Sequence, residues 1–176
     1  MPLRAAGALL AFCIAAGTAA ADNRPTGTTR IVARHADWSV VVAETDRGKH
    51  CYAAAQPQTR RPQGAVRERA FVFVTTRPTD QVRDEFSVEF GFAAAAGSAV
   101  SVGDETFALA GDAVGAWIRD LADETRLVAQ MRNQTHMSIR STSVLGEKTV
   151  DTYSLEGFAE ALARARRECA DPNTTS

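Results

Sequence analysis

The sequence predicts a β-rich α+β domain: an antiparallel β-sandwich or partly closed barrel of about eight or nine short strands, with two helices at about 120–133 and 154–169. Three observations predict it. Short runs alternate apolar and polar residues, as half-buried strands do. Gly-Asp and Asp-Arg-Gly signals separate those runs at hairpin spacing. The period lengthens to a helical one only twice, near Asp120 and near Ser154. No internal repeat or low-complexity tract interrupts this pattern, so a single domain is expected over 36–170, followed by a short tail at 171–176.

The chain opens "MPLRAAGALLAFCIAAGTAAAD". One positive residue, Arg4, precedes an apolar run and then the small residues Ala19, Ala20 and Ala21. That order predicts a secretory signal over 1–21. The apolar run falls short of the roughly 20 residues that a membrane span needs. Phe12 before Cys13 argues against a lipidated cysteine, so Cys13 is expected to leave with the signal. Removing 21 of the 176 residues leaves 155, enough for one domain with a proper core. Its charge is close to balanced, which gives no reason to expect nucleic acid or an anionic membrane as partner. Residues 22–35, with Pro25 and Gly27, read as a flexible N-terminal arm.

Strands follow in order. "DWSVVVAET" alternates Trp38, Val40 and Val42 onto one face, and Asp46-Arg47-Gly48 turns it into "KHCYAAAQ". "PQTRRPQGAVRER", 57–69, holds two prolines, a glycine and four arginines and reads as a basic loop. "AFVFVTT" is apolar at successive positions and is expected to be buried on both faces. "DEFSVEFGF" places Phe86, Val88, Phe90 and Phe92 inward. "AVSVG", "ETFALAG" and "AVGAWIR" are short strands around Gly103-Asp104 and Gly111-Asp112. "THMSIRSTS" and "EKTVDTY" make a hairpin around Leu145-Gly146.

Asp120 can cap the first helix, in which Leu121, Thr125, Val128 and Arg132 share a line flanked by Leu127 and Met131. Ser154 is the expected cap of the second, whose stripe runs Leu155, Phe158, Ala159, Leu162. Glu156 and Glu160 near its start and Arg164, Arg166 and Arg167 near its end suit the helix dipole. Cys169 lies seven residues beyond Leu162 and faces the protein body, as a buried thiol or half of a disulfide would. In an exported chain only Cys51 and Cys169 remain, and an even count there favours a bridge, with two separate buried thiols as the alternative.

Little in the sequence points to chemistry. His35, His50 and His136 lack metal-ligand spacing, so neither a metal nor a cofactor is expected. G-x-S-x-G and P-loop motifs are absent, and Asp84/Glu85 and Asp104/Glu105 are adjacent carboxylates that face opposite ways on a strand. No catalytic residue is assigned. Arg60, Arg61, Arg67 and Arg69 are the candidate contacts for an anionic partner, an envelope polymer or an acidic protein surface. The plainer reading, a solvated loop whose charges keep strand edges soluble, is preferred on the residues alone.

"DWSVVVAETDRGKHCYAAAQP", "FVFVTTRP", "GAWIRD" and "LVAQMRNQTHMSIRSTSVLGEKTVDTYSLEGFAEALARA" resemble the invasion-associated locus B family over about 37 to 169. The most specific parts are the Trp38–Cys51 strand pair, Thr75-Thr76-Arg77-Pro78, and Thr152-Tyr153-Ser154-Leu155 followed by Gly157-Phe158. The resemblance implies an exported alphaproteobacterial protein, periplasmic, surface-associated or secreted, of a family named for entry into host red cells and without assigned catalytic residues. The function expected is therefore non-enzymatic surface binding of a protein or envelope polymer, with host interaction implied by the family. The competing expectation is a periplasmic hydrolase whose carboxylates meet only in the fold.

Overall fold

A computed structural model describes residues 27–112 and 114–170. The expected signal with Cys13, residues 22–26 of the expected arm and the tail at 171–176 lie outside the described residues. The strands are β1 (Thr28–His35), β2 (Trp38–Thr45), β3 (Gly48–Ala55), β4 (Thr59–Arg61), β5 (Phe71–Arg77) and β6 (Val82–Glu89). They continue with β7 (Ala99–Val102), β8 (Glu105–Ala108), β9 (Ala110–Gly111), β10 (Gly115–Trp117), β11 (His136–Thr142) and β12 (Lys148–Ser154). Helix α1 (Leu121–Met131) precedes β11, and α2 (Phe158–Glu168) follows β12. Two antiparallel sheets form a sandwich with no closed barrel: β1-β2-β3-β5-β6-β10-β9 and β4-β12-β11-β7-β8.

Twelve strands among the described residues exceed the expected eight or nine, for three local reasons. Residues 28–35 of the expected arm pair along β2 as an edge strand, with an irregularity between Ile31 and Ala33. Residues 59–61 of the expected loop pair with β12. "ETFALAG" divides into β8 and β9, which join different sheets. In each case the partner strand, not the segment's own apolar pattern, supplies the order.

The core lies between the sheets. Rows of paired residues cross the larger sheet on its inner face: Val40, Ala53, Val74 and Phe86 in one, Trp38, Ala55, Val72 and Val88 in the next. Val100, Val102, Phe107, Met137, Ile139 and Tyr153 answer from the smaller sheet. Helix α2 packs on β2 and β3 and buries Phe158, Ala161, Leu162 and Ala165.

Trp38, fully buried, fixes that helix. Its indole N–H donates to the Ser154 carbonyl at 3.0 Å, and its ring meets Phe158 with centroids 4.7 Å apart. At the other end Cys169 caps α2 and is bonded to Cys51, with Cα atoms 5.8 Å apart across 118 positions of sequence. Closing a loop of that length contributes roughly 4–5 kcal/mol in the chain-entropy picture.

Two helix expectations need correction. Ser154 ends β12 and does not cap α2; its hydroxyl accepts from the Glu156 N–H, and Gly157 holds the cap position. Gly157 is left-handed, with φ of 81°, and a side chain there would collide with the His35 carbonyl oxygen. Leu121 is 73% exposed, so the buried face of α1 is Glu124, Leu127, Val128 and Met131. Asp120 caps α1 as expected, accepting from the Ala122 and Asp123 N–H groups.

Two stability changes are expected. Cys51→Ser should lower the unfolding free energy by about 2–5 kcal/mol, measured by denaturant titration under non-reducing conditions. Gly157→Ala should lower it by on the order of 1–3 kcal/mol through backbone strain alone, with the collision against β1 added. A Gly157→Ala protein as stable as the parent would show that the β1–α2 contact is not rigid.

Candidate functional site

A sandwich usually presents polar residues on the outer face of each sheet. Here the outer face of the seven-stranded sheet carries Val41, Tyr52, Ala54, Phe71 and Phe73, with Ile31 on the edge strand beside Val41. The expectation that β5 is buried on both faces is therefore corrected. Val72 and Val74 are buried inside, whereas Phe71 and Phe73 are half-buried on the outside. Tyr52 stands edge-on to Phe73 at 5.6 Å, and Phe71 stacks on Phe73 at 5.9 Å. These side chains wall an open groove of about 770 Å³, floored by Ser39, Val41 and Ala54. Arg34, Arg69, Asp37 and Glu89 rim it. Burial, then the nearby Glu89 carboxylate, raises the Tyr52 phenol above its ordinary acidity constant of 10.0, so it stays a hydrogen-bond donor at neutral pH.

The four loop arginines divide into two pairs. Arg60 lies in β4, opposite Asp151 of β12, with Nε 3.4 Å from Asp151 Oδ2. It donates to the Glu68 carbonyl at 2.6 Å and to the Phe90 carbonyl at 3.3 Å. Arg67, its side chain only 4% exposed, reaches Asp151 Oδ1 at 3.0 Å and lies 5.7 Å over the Phe92 ring. A solvated loop is thus not what these two residues make: they fasten 62–69 to the smaller sheet. Asp151 is buried between them, and losing one member of such a group leaves uncompensated charge in the interior. Arg61 and Arg69 are exposed, and Arg69 borders the aromatic groove. Phe92, expected inward, lies beyond β6 and is half-buried.

Two other carboxylates meet near α1. Asp84, at φ 61°, sits where the β5–β6 register shifts, and Arg166 of α2 clamps it with both Nε and Nη2. Neighbouring Glu85 faces the other way and pairs with Arg77 at 2.8 and 3.0 Å. Glu124 accepts the Phe86 N–H at 2.8 Å. β10 ends at Trp117, opposite Ser87, so the carboxylate completes a ladder that the neighbouring strand leaves unfinished. Asp84 and Glu124 line one small cavity, yet each is committed to a structural bond. Among the described residues no group of three or more His, Cys, Asp or Glu side chains is placed to hold a metal.

Comparison with known families settles kinship. A family model described as "Invasion associated locus B (IalB) protein" matches residues 38–166. The chain belongs to that family. No curated protein and no solved structure matches it. The matched span begins at Trp38 and ends at Arg166, so it includes both partners of the Trp38–Phe158 contact and both partners of the Arg166–Asp84 pair. Among the described residues of this IalB-family protein, no helix is long and apolar enough to cross a membrane.

Glu124 carries a measurable consequence. Burial raises its carboxyl above the ordinary value of 4.5; the Phe86 N–H opposes that, and Glu85 and Asp84 add to it. The folded state therefore binds this proton more tightly than the unfolded one. Its contribution to stability is complete below 4.5 and declines as pH rises through the raised value. Glu124→Gln keeps an acceptor for Phe86 and removes the titration. Relative to the parent, the variant should gain stability as pH rises from about 4.5 and then level off, as read from denaturant midpoints across that range. Parallel profiles for the two proteins would show that Glu124 titrates normally.

Proposed function

We propose that this IalB-family protein is a non-enzymatic exported protein that works by surface binding, and that its contact surface is the outer face of the seven-stranded sheet. The observation that carries this reading is the aromatic groove. Tyr52, Phe71 and Phe73 stand on a face that the sandwich does not need for its own core, with charged residues at the rim. Apolar centres with polar rims are the anatomy of protein interfaces, and buried aromatic anchors supply most of their energy. Arg69 at its rim gives this surface its affinity for acidic partners, an envelope polymer or a host protein. Arg60 and Arg67 are occupied by Asp151 and take no part in that contact. The hydrolase reading loses its best pair, because Asp84 and Glu124 already serve Arg166 and the Phe86 backbone.

The test is binding of the labelled exported protein to envelope fractions and to host-cell surfaces. Phe73→Ser is expected to weaken specific binding about thirtyfold, the scale of losing a central aromatic anchor. Arg69→Ser is expected to weaken it less and to reduce its dependence on salt. Arg67→Ser should instead lower the melting temperature. Unchanged binding by Phe73→Ser in a folded protein would remove the sheet face from the mechanism.

A further inference from the structure

Four connections leave the sandwich at one end: 62–70 between β4 and β5, 90–98 between β6 and β7, the one that carries Asp112 and Val114 between β9 and β10, and 143–147 between β11 and β12. Backbone bonds hold them together. The Glu68 N–H donates to the Gly91 carbonyl, the Phe90 N–H to the Val114 carbonyl, and the Val144 N–H to the Ala93 carbonyl. Three of the four carry large apolar residues without cover. Val66 is fully exposed, Leu145 is 93% exposed, and Val114 and Val144 are each more than half exposed. Between them run Ala93, Ala95 and Ala96, also exposed, in a segment from Phe90 to Ser98 that has no charged or amide side chain. Val66, Phe92, Ala93 and Val114 border one open cleft.

We infer that this pole is a membrane-docking surface, and that its partner is the apolar interior of a phospholipid bilayer just below the headgroups. Scattered exposed apolar residues are ordinary, but four on three adjoining connections at one end form a patch. The chemistry favours lipid over a folded partner. The tips project from three different connections, and a rigid protein would need a matching pocket for each. A bilayer asks only for apolar side chains at a common level. The stretch from Phe90 to Ser98 offers no charged or amide group with which a protein partner could fix orientation. Around the pole, Arg61, Arg69 and Lys148 stand against Glu68, Glu89, Asp112 and Glu147, all exposed, so there is no cationic excess. With that balance, apolar insertion rather than attraction to anionic headgroups drives docking. The pole adjoins the aromatic groove at Arg69 and Glu89, but none of Val66, Val114, Val144 and Leu145 lines the groove, so variants at these tips test this inference apart from the groove reading.

The experiment is co-sedimentation of the full exported chain with vesicles of phosphatidylcholine alone and of phosphatidylcholine with phosphatidylglycerol. Both should bind it, within about threefold of each other, and 0.5 M salt should change neither greatly (roughly, since screening at that strength acts within a few ångströms). Val66→Asp and Leu145→Asp should each reduce binding at least tenfold without altering the melt, because neither side chain packs on the protein. Leu145→Ser should act in the same direction more weakly, and Ile31→Asp on the sheet face should have no effect. Absence of vesicle binding by the parent would overturn the inference, as would binding lost to Ile31→Asp but kept by Val66→Asp. A dimer that Leu145→Asp dissolves, in a protein that ignores vesicles, would assign the pole to self-association instead.

Discussion

Trp38 sits where the first strand of the family-matched region meets the last β–α junction, and it joins them by two different forces. Its indole N–H needs an acceptor once buried, and the Ser154 carbonyl at the end of β12 supplies one. Its ring needs apolar cover, and Phe158 at the start of α2 supplies that. Gly157 between them allows the backbone to pass close to the His35 carbonyl. Together these set the position from which α2 runs across β2 and β3 until Cys169 reaches Cys51. A helix anchored at both ends covers the part of the larger sheet that the smaller sheet does not. Arg166 then uses the same helix to hold the bulge at Asp84.

The smaller sheet depends on a different device. Its inner row runs Arg60, Asp151, Ile139, Val100, Phe107, from ionic at one edge to apolar at the other. Strand β4 has only three residues and could not be ordered by its ladder alone. Asp151, held between Arg60 and Arg67, fastens that strand and the connection that follows it. A buried ion group adds little net stability over apolar packing, but it dictates which segment lies at the edge. The apolar tip at Val66 is presented on the connection that this group secures.

Much of the fold was legible because its signals are local. Alternation at Trp38, Val40 and Val42, the Asp120 cap and the Gly103-Asp104 turn each need only a few neighbouring residues. What was not legible depended on distant partners. Strand β1 shows little apolar pattern and owes its order to β2. Thr59–Arg61 reads as a basic loop until Asp151, 91 positions past Arg60, is placed beside it. The groove was hidden for another reason. "FVFV" is apolar at every position, as a strand covered on both faces would be, and among the described residues no second layer covers Phe71 and Phe73. A trace did exist in the sequence: Tyr52 falls on the opposite face of β3 from Cys51, so an inward Cys51 requires an outward Tyr52. The family motif ending in Gly157-Phe158 was visible as a pattern, but its meaning lay in Trp38 and His35, more than a hundred residues away.

The bridge between Cys51 and Cys169 also changes what it means to cut this molecule. Every connection at the apolar pole lies between the two cysteines in sequence, and those connections are the parts that a protease reaches first. A single cut at 62–69 or at 143–147 would leave two pieces covalently joined, each still paired with the other across a sheet. The nicked protein would keep its mass and its faces until a reductant separated the halves. Damage at the exposed tips is thus converted from loss of the molecule into loss of one loop.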